Sequence, residues 1–228
     1  MIYAIADLHL DYTKEKDMGV FGDNWDDYEN RIFKNWEKIN ENDLVLIPGD
    51  ISWALKMEDA KIDLDRIDRL AGRKILLKGN HDYWWISLNK LNKLGLETIS
   101  FLQNNSFVHE NTRVCGTRGW ISTDERDFSD HDRKVFDREL SRLELSLQDK
   151  ISESYDETIV IMHYPPFFKD GRPNEFEEIF HKYGVSKVIY GHIHGPRAHY
   201  MPEGQIHGVE YFCVSADKLA FDPVIIRE

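Results

Sequence analysis

Lys74-Ile75-Leu76-Leu77-Lys78 followed by Gly79-Asn80-His81-Asp82 decides how this chain is read. The first five residues have the length and apolar centre of a buried strand. The next four deliver an amide, an imidazole and a carboxylate into one tight turn, a choice that no packing requirement explains. Taken alone, a Gly-Asn turn with two further polar residues is ordinary loop chemistry. The same arrangement recurs, however, at four other places. Asp7-Leu8-His9 follows the run Ile2 to Ala6, and Gly49-Asp50 follows Leu44 to Ile47. His163 follows Thr158 to Met162, and Gly191-His192-Ile193-His194 follows Ser186 to Tyr190. Five β-like runs therefore end in side chains able to ligate a metal ion.

With 228 residues, 41% hydrophobic and 31% charged, the chain can build one substantial core, and a single domain over 1–228 is expected. The longest apolar runs are strand-sized, and Met1 to Ala6 is interrupted at once by Asp7. That pattern suits neither a signal peptide nor a membrane span, so a cytoplasmic location is the expectation. The cysteines, Cys115 and Cys213, have no zinc or redox spacing and are expected to be reduced core residues. A formal net charge of -12 repels long polyanions and disfavours an extended nucleic-acid surface.

Along the chain, Trp25, Tyr28, Ile32, Trp36 and Ile39 recur at helical spacing after a loop from Met18 to Asp23. A second helix is predicted over Glu58 to Leu70 and a third over Ser87 to Leu94, stopped by Gly95. From Glu97 to Gly116 the pattern shifts to short strands separated by Asn-rich turns, where the sheet is expected to change partners. Thr123 to Lys150 is densely charged with a helical apolar stripe, which predicts one long solvated helix at the rim of a pocket. A last helix is predicted over Asn174 to Tyr183. Alternating segments from Gln205 to Ser215 and Pro223 to Arg227 are read as strands closing a second sheet. Early βα alternation implies parallel strands, and ligands collect outside the carboxyl ends of such strands. From the residues alone, this is a mixed α/β domain.

Ordered as Asp-x-His, Gly-Asp, Gly-Asn-His-Asp, His and Gly-His-x-His, the five blocks resemble the calcineurin-like metallophosphoesterase superfamily. Tyr83-Trp84-Trp85 is similar to a bacterial branch of predicted phosphohydrolases. Ile51-Ser52-Trp53-Ala54 and Asp82 depart from the serine/threonine protein phosphatase branch, which has Val-Asp-Arg-Gly and Glu there. The resemblance implies an α/β, two-sheet β-sandwich flanked by helices, the four-layer αββα metallophosphoesterase fold. It implies two divalent metal ions, manganese first with iron or zinc as alternatives. Asp50 would bridge them, with Asp7, His9 and His194 on one ion and Asn80, His163 and His192 on the other. Such ions add positive charge at one spot, so an acidic protein keeps a cationic pocket.

The implied reaction is hydrolysis of a small phosphomonoester or phosphodiester by a dimetal-bridging hydroxide. His81 would be the catalytic acid on the leaving oxygen, and Asp82 would hold the His81 ring and favour its charged form. Arg118, Lys169 and Arg172 are further candidates for substrate contact, each weighed against an ordinary surface role. Asp11 has suitable chemistry for a ligand but no motif asks for it. The rival reading is a non-catalytic metal-binding scaffold on the same fold, as in the retromer subunit that lacks the central histidine; a nuclease is a third.

Overall fold

The computed structural model describes residues 1–16 and 18–228. Its first sheet holds β1 (Ile2–Ala4), β2 (Leu44–Ile47), β3 (Arg73–Leu77), β4 (Ile99–Leu102) and β11 (Val224–Arg227) in the order β11-β1-β2-β3-β4. β1 to β4 run parallel, and β11 closes the edge antiparallel to β1. The second sheet holds β5 (Phe107–His109), β6 (Thr112–Thr117), β7 (Glu157–Met162), β8 (Lys187–Tyr190), β9 (Gly204–Ile206) and β10 (Val209–Cys213), ordered β5-β6-β7-β8-β10-β9. Its four inner strands are parallel and its two edges antiparallel. The partner change expected between Glu97 and Gly116 occurs after β4.

Two-residue alternation along these strands builds three apolar layers. Ile2, Ala4, Leu46, Ile75 and Leu77 of the first sheet pack against Val114, Ile159, Ile161 and Ile189 of the second. The opposite face of the first sheet, through Val45, Ile47 and Leu76, meets α1 (Tyr28–Trp36) and α2 (Met57–Asp68) at Ile32, Trp36, Leu64 and Ile67. The opposite face of the second, through Val160, Met162 and Tyr190, meets α4 (Asp130–Leu147) and α5 (Phe176–Lys182) at Phe136, Leu143 and Phe180. The result is two mixed sheets between helices, the metallophosphoesterase fold. The sheets also meet at one bridge: Ala6 N–H donates to Val214 O at 2.8 Å, and Ala216 N–H donates to Ala6 O at 3.0 Å.

Several helices are shorter than their apolar spacing predicts. Asp27 takes a left-handed conformation with φ of 54°, which separates a short 3-10 turn (Asp23–Trp25) from α1. The segment Met18–Phe21 is also a 3-10 turn rather than open loop. Only α3 (Leu88–Leu91) remains of the third predicted helix. The charged helix begins at Asp130 because Ser129 and Asp132 form a reciprocal capping box there. The segment Gln205 to Ser215 is a β9–β10 hairpin, turned at His207 and Gly208, both at positive φ. Among the described residues no helix is long and apolar enough to cross a membrane.

Close approach of backbones at the strand ends leaves no room for side chains at several glycines, Gly79 and Gly191 among them. A Cβ on Gly79 would collide with the Asp50 carboxylate, and one on Gly191 would lie 2.5 Å from Ala6 Cβ and 2.6 Å from Asp7 Oδ2. Gly191→Ala should therefore lower stability by about 1–3 kcal/mol through overpacking. Urea unfolding measures this, and an unchanged midpoint would show that the two strand ends can separate freely.

Candidate metal centre

The ends of β1, β2, β3, β7 and β8 all open on one edge of the sandwich, and their polar blocks converge there. Ligand atoms of Asp7, His9 and His194 lie within 4.8 Å of one another, as do those of Asp50, His163 and His192. Asp50 Oδ2 stands between the groups, 3.7 Å from His9 Nε2 and 3.4 Å from His163 Nε2. Asn80 Oδ1 is 2.6 Å from His163 Nε2. All seven side chains singled out as ligands by the sequence are thus in one place.

The backbone is distorted to bring them there. Asp7, His9, Asp50 and His192 all have left-handed φ, at 60°, 46°, 52° and 74°. That region is disfavoured for non-glycine residues, and such strain persists where surrounding bonds over-determine it. Asp82 supplies many of these bonds. Its buried carboxylate accepts from the N–H groups of Asp50 at 3.0 Å, Ile51 at 2.9 Å, Ser52 at 3.3 Å and Gly79 at 2.7 Å, and from Trp84 Nε1 at 3.1 Å. Burial and the neighbouring Asp50 push this carboxyl upward, while the N–H donors pull it back toward the ionised form. None of its hydrogen bonds reaches the His81 ring, correcting the expectation that Asp82 grips that imidazole. The reason is geometric: the carboxylate turns inward to serve the main chain of both turns.

His81 itself is half-buried beside the two groups. Its N–H donates to Asp50 Oδ1 at 2.8 Å, and its ring centroid lies 5.7 Å from that of His9. Trp53 supports both rings, stacked on His9 at 4.7 Å and inclined to His81 at 4.5 Å. On the other side Tyr164 lies 4.1 Å from His192 between ring centroids.

Second partners orient the histidines. The Pro48 carbonyl can only accept, so His163 donates from Nδ1 across 3.0 Å and turns the lone pair of neutral Nε2 toward Asp50 and Asn80. His194 Nδ1 meets Asp217 Oδ1 at 3.1 Å, and Asp217 Oδ2 accepts the Gly195 N–H at 2.7 Å. Asp217, Trp53 and Tyr164 were not identified as site residues from sequence. Asp217 follows β10 without any motif. Trp53 comes directly after Ile51-Ser52, outside any ligand pattern.

The electrostatics fit a divalent cation in each group. Burial drives His9, His163 and His192 down to about 3, which leaves them neutral and able to ligate. Burial also drives the Asp7 carboxyl up to about 7, with His194 opposing and Asp50 adding to the rise. Burial disfavours the His194 cation, but Asp217 and the Asp7 and Asp50 carboxylates outweigh it and raise its pKa. Lone pairs of His163 Nε2, Asn80 Oδ1 and Asp50 Oδ2 face one another, and His9 Nε2 lies 3.3 Å from His194 Nε2. Without a cation, such a set of acceptors is mutually repulsive.

The remaining candidates lie in other settings. Lys169 pairs with Glu125 at 2.7 Å and Arg172 with Asp170 at 2.7 Å, both on the surface. Asp11 accepts the N–H groups of Thr13, Glu15 and Lys16 at 3.0, 2.9 and 2.8 Å, closing its own turn. Arg118 lies over Trp120 at 4.6 Å and 3.6 Å from Glu139.

The fold and the clustered ligands define a metallophosphoesterase architecture. Residues 1–196 match the family model for calcineurin-like phosphoesterases, and the chain belongs to that family. No curated protein matches it. Among solved structures it is similar to the phosphopantetheinyl hydrolase of Mycobacterium tuberculosis, with 12% identity, TM-score 0.58, and coverage of 99% of this chain and 96% of that one. It is also similar to TT1561 of Thermus thermophilus, with 13% identity, TM-score 0.56, and coverage of 98% of this chain and 96% of that one. At these identities the two neighbours report the fold alone.

Two measurements test the centre. Asp50→Asn should lose metal from both groups, as read by elemental analysis of the purified protein; two retained ions would remove Asp50 from between them. Because Asp7 must shed a proton to take a cation, protons compete below its pKa of about 7. Metal affinity should accordingly rise with pH from about 6 to about 8, with proton release on binding. Calorimetry in buffers of different ionisation enthalpy would detect that release, and a pH-independent affinity would contradict it.

Proposed function

We propose that this protein is a dinuclear metal-dependent hydrolase of a small phosphomonoester or phosphodiester. The observation that carries the reading is the convergence of two three-residue ligand groups about Asp50, with the His81 imidazole alongside. Asp7, His9 and His194 would hold one ion, and Asn80, His163 and His192 the other. Imidazole, amide and carboxylate donors suit manganese, with iron or zinc as alternatives, better than calcium. When bound, two divalent ions activate water for attack on phosphorus and offset the charge growing on the phosphoryl oxygens.

The chain's own residues supply the rest. Asp82 fixes the turns that carry Asp50, Asn80 and His81. Trp53 limits the tilt of the His9 and His81 rings and excludes water from one side of each. As the P–O bond breaks, the leaving oxygen gains negative charge, and a protonated His81 delivers its proton there so that a neutral alcohol departs. The Tyr164 ring limits the tilt of His192. A small phosphorylated substrate and a cytoplasmic setting belong to the same reading. The net charge of -12 supports it by disfavouring a long polyanion, and two unpaired buried cysteines are compatible with a reducing compartment.

Hydrolysis of a phosphate-ester panel by manganese-loaded protein, with and without chelator, tests the proposal directly. His81→Ala should keep its metal content yet lose about 10²–10⁴ in turnover, most severely for esters with poor leaving groups. Equal losses across leaving groups would count against proton donation by His81. No chelator-sensitive turnover of any ester would leave the scaffold reading in its place.

A further inference from the structure

A cavity of about 420 Å³ opens where the ends of β3, β4 and β6 meet α4, and none of the seven ligand candidates lines it. Its wall carries Lys78, Arg118, Arg138 and Arg142 against a single carboxylate, Glu139. That carboxylate is already committed: it is buried, accepts from Thr117 Oγ1 at 2.7 Å and from Arg142 Nη1 at 2.6 Å, and lies 3.6 Å from Arg118. The side chains of Lys78 and Arg138 make no hydrogen bond or ion pair among the described residues, and Arg118 Nε is buried without a hydrogen-bond partner. Four cations thus share one carboxylate in a chain of net charge -12, which leaves their mutual repulsion uncompensated and the Lys78 and Arg138 side chains without an acceptor. An anion with several oxygens would relieve both deficits, since guanidinium groups match phosphate geometry with paired donors.

The cavity also adjoins the candidate metal centre. Lys78 is two residues before Asn80 in the chain, and the Arg118 carbonyl accepts the N–H of His163 at 3.1 Å. We propose that this cavity binds a phosphate-type oxyanion, either the second phosphate of a doubly phosphorylated substrate or a free phosphate ion. Only the first source rests on the hydrolase reading; binding of the anion does not.

Arg138→Glu is the incisive variant, because the side chain is exposed and gives up no hydrogen bond. Calorimetric titration with inorganic phosphate, on the full chain both metal-loaded and after chelator treatment, should show a site that survives chelation. Arg138→Glu should weaken that site on the order of ten-fold, and Arg138→Lys should retain most of it. Phosphate binding that vanishes with the metal, or that is equal in the wild type and Arg138→Glu, overturns the proposal. A kinetic arm separates the sources using ribose bisphosphate and ribose monophosphate. A KM raised by Arg138→Glu for the bisphosphate alone assigns the site to substrate. Equal KM values for both, with the calorimetric site lost, assign it to a free ion. Should neither ester turn over, the calorimetric arm still decides whether the cavity binds the anion.

Discussion

One buried carboxylate, Asp82, holds together the turns on which the candidate metal centre is built. It accepts from main-chain N–H groups at residues 50, 51, 52 and 79 and from the Trp84 indole. Those donors belong to two loops from adjacent parallel strands, so the carboxylate acts as a clasp between them. Asp50 and Asn80 take their positions from the clasped segments, and the N–H of His81 in turn donates to Asp50. A buried charge satisfied by several donors is costly to leave unpaired, which makes this clasp hard to open.

Around the clasp, the sandwich sets the direction of approach. Parallel strands from both sheets end on one edge, and the Ala6–Ser215 bridge joins the sheets beside Asp7. Four ligand candidates then adopt left-handed backbone conformations that short loops would not keep on their own. Pro48 and Asp217 turn the rings of His163 and His194, leaving the opposite nitrogen of each directed inward. Strain, ring orientation and crowded lone pairs all point to a space shaped for cations.

Aromatic rings complete the surroundings. Trp25 is edge-on to both His9 and His194 and packs against Phe221, so the first group of ligand candidates is embedded in the core behind it. Burial of this kind keeps His9 neutral and raises the Asp7 carboxyl, the state from which a cation displaces protons rather than water alone.

Much of this was legible in the chain itself. Strand-sized apolar runs ending in Asp, His and Asn marked the side chains that cluster, because the periodicity of a buried strand is local and the polar residue that ends it stands out. Helix limits were less legible: the left-handed φ of Asp27 and the Ser129 capping box are backbone events that apolar spacing does not encode. The role of Asp82 lay further out of reach, since a carboxylate beside a histidine in sequence reads as its partner, whereas folding turned it toward the N–H groups of another loop. Asp217 and Trp53 depended wholly on tertiary structure, for they meet His194 and His9 across separations that no local pattern spans. Sequence determined which side chains end the strands; packing of the two sheets decided which of them touch, because contact follows from the convergence of strand ends in space rather than from order along the chain.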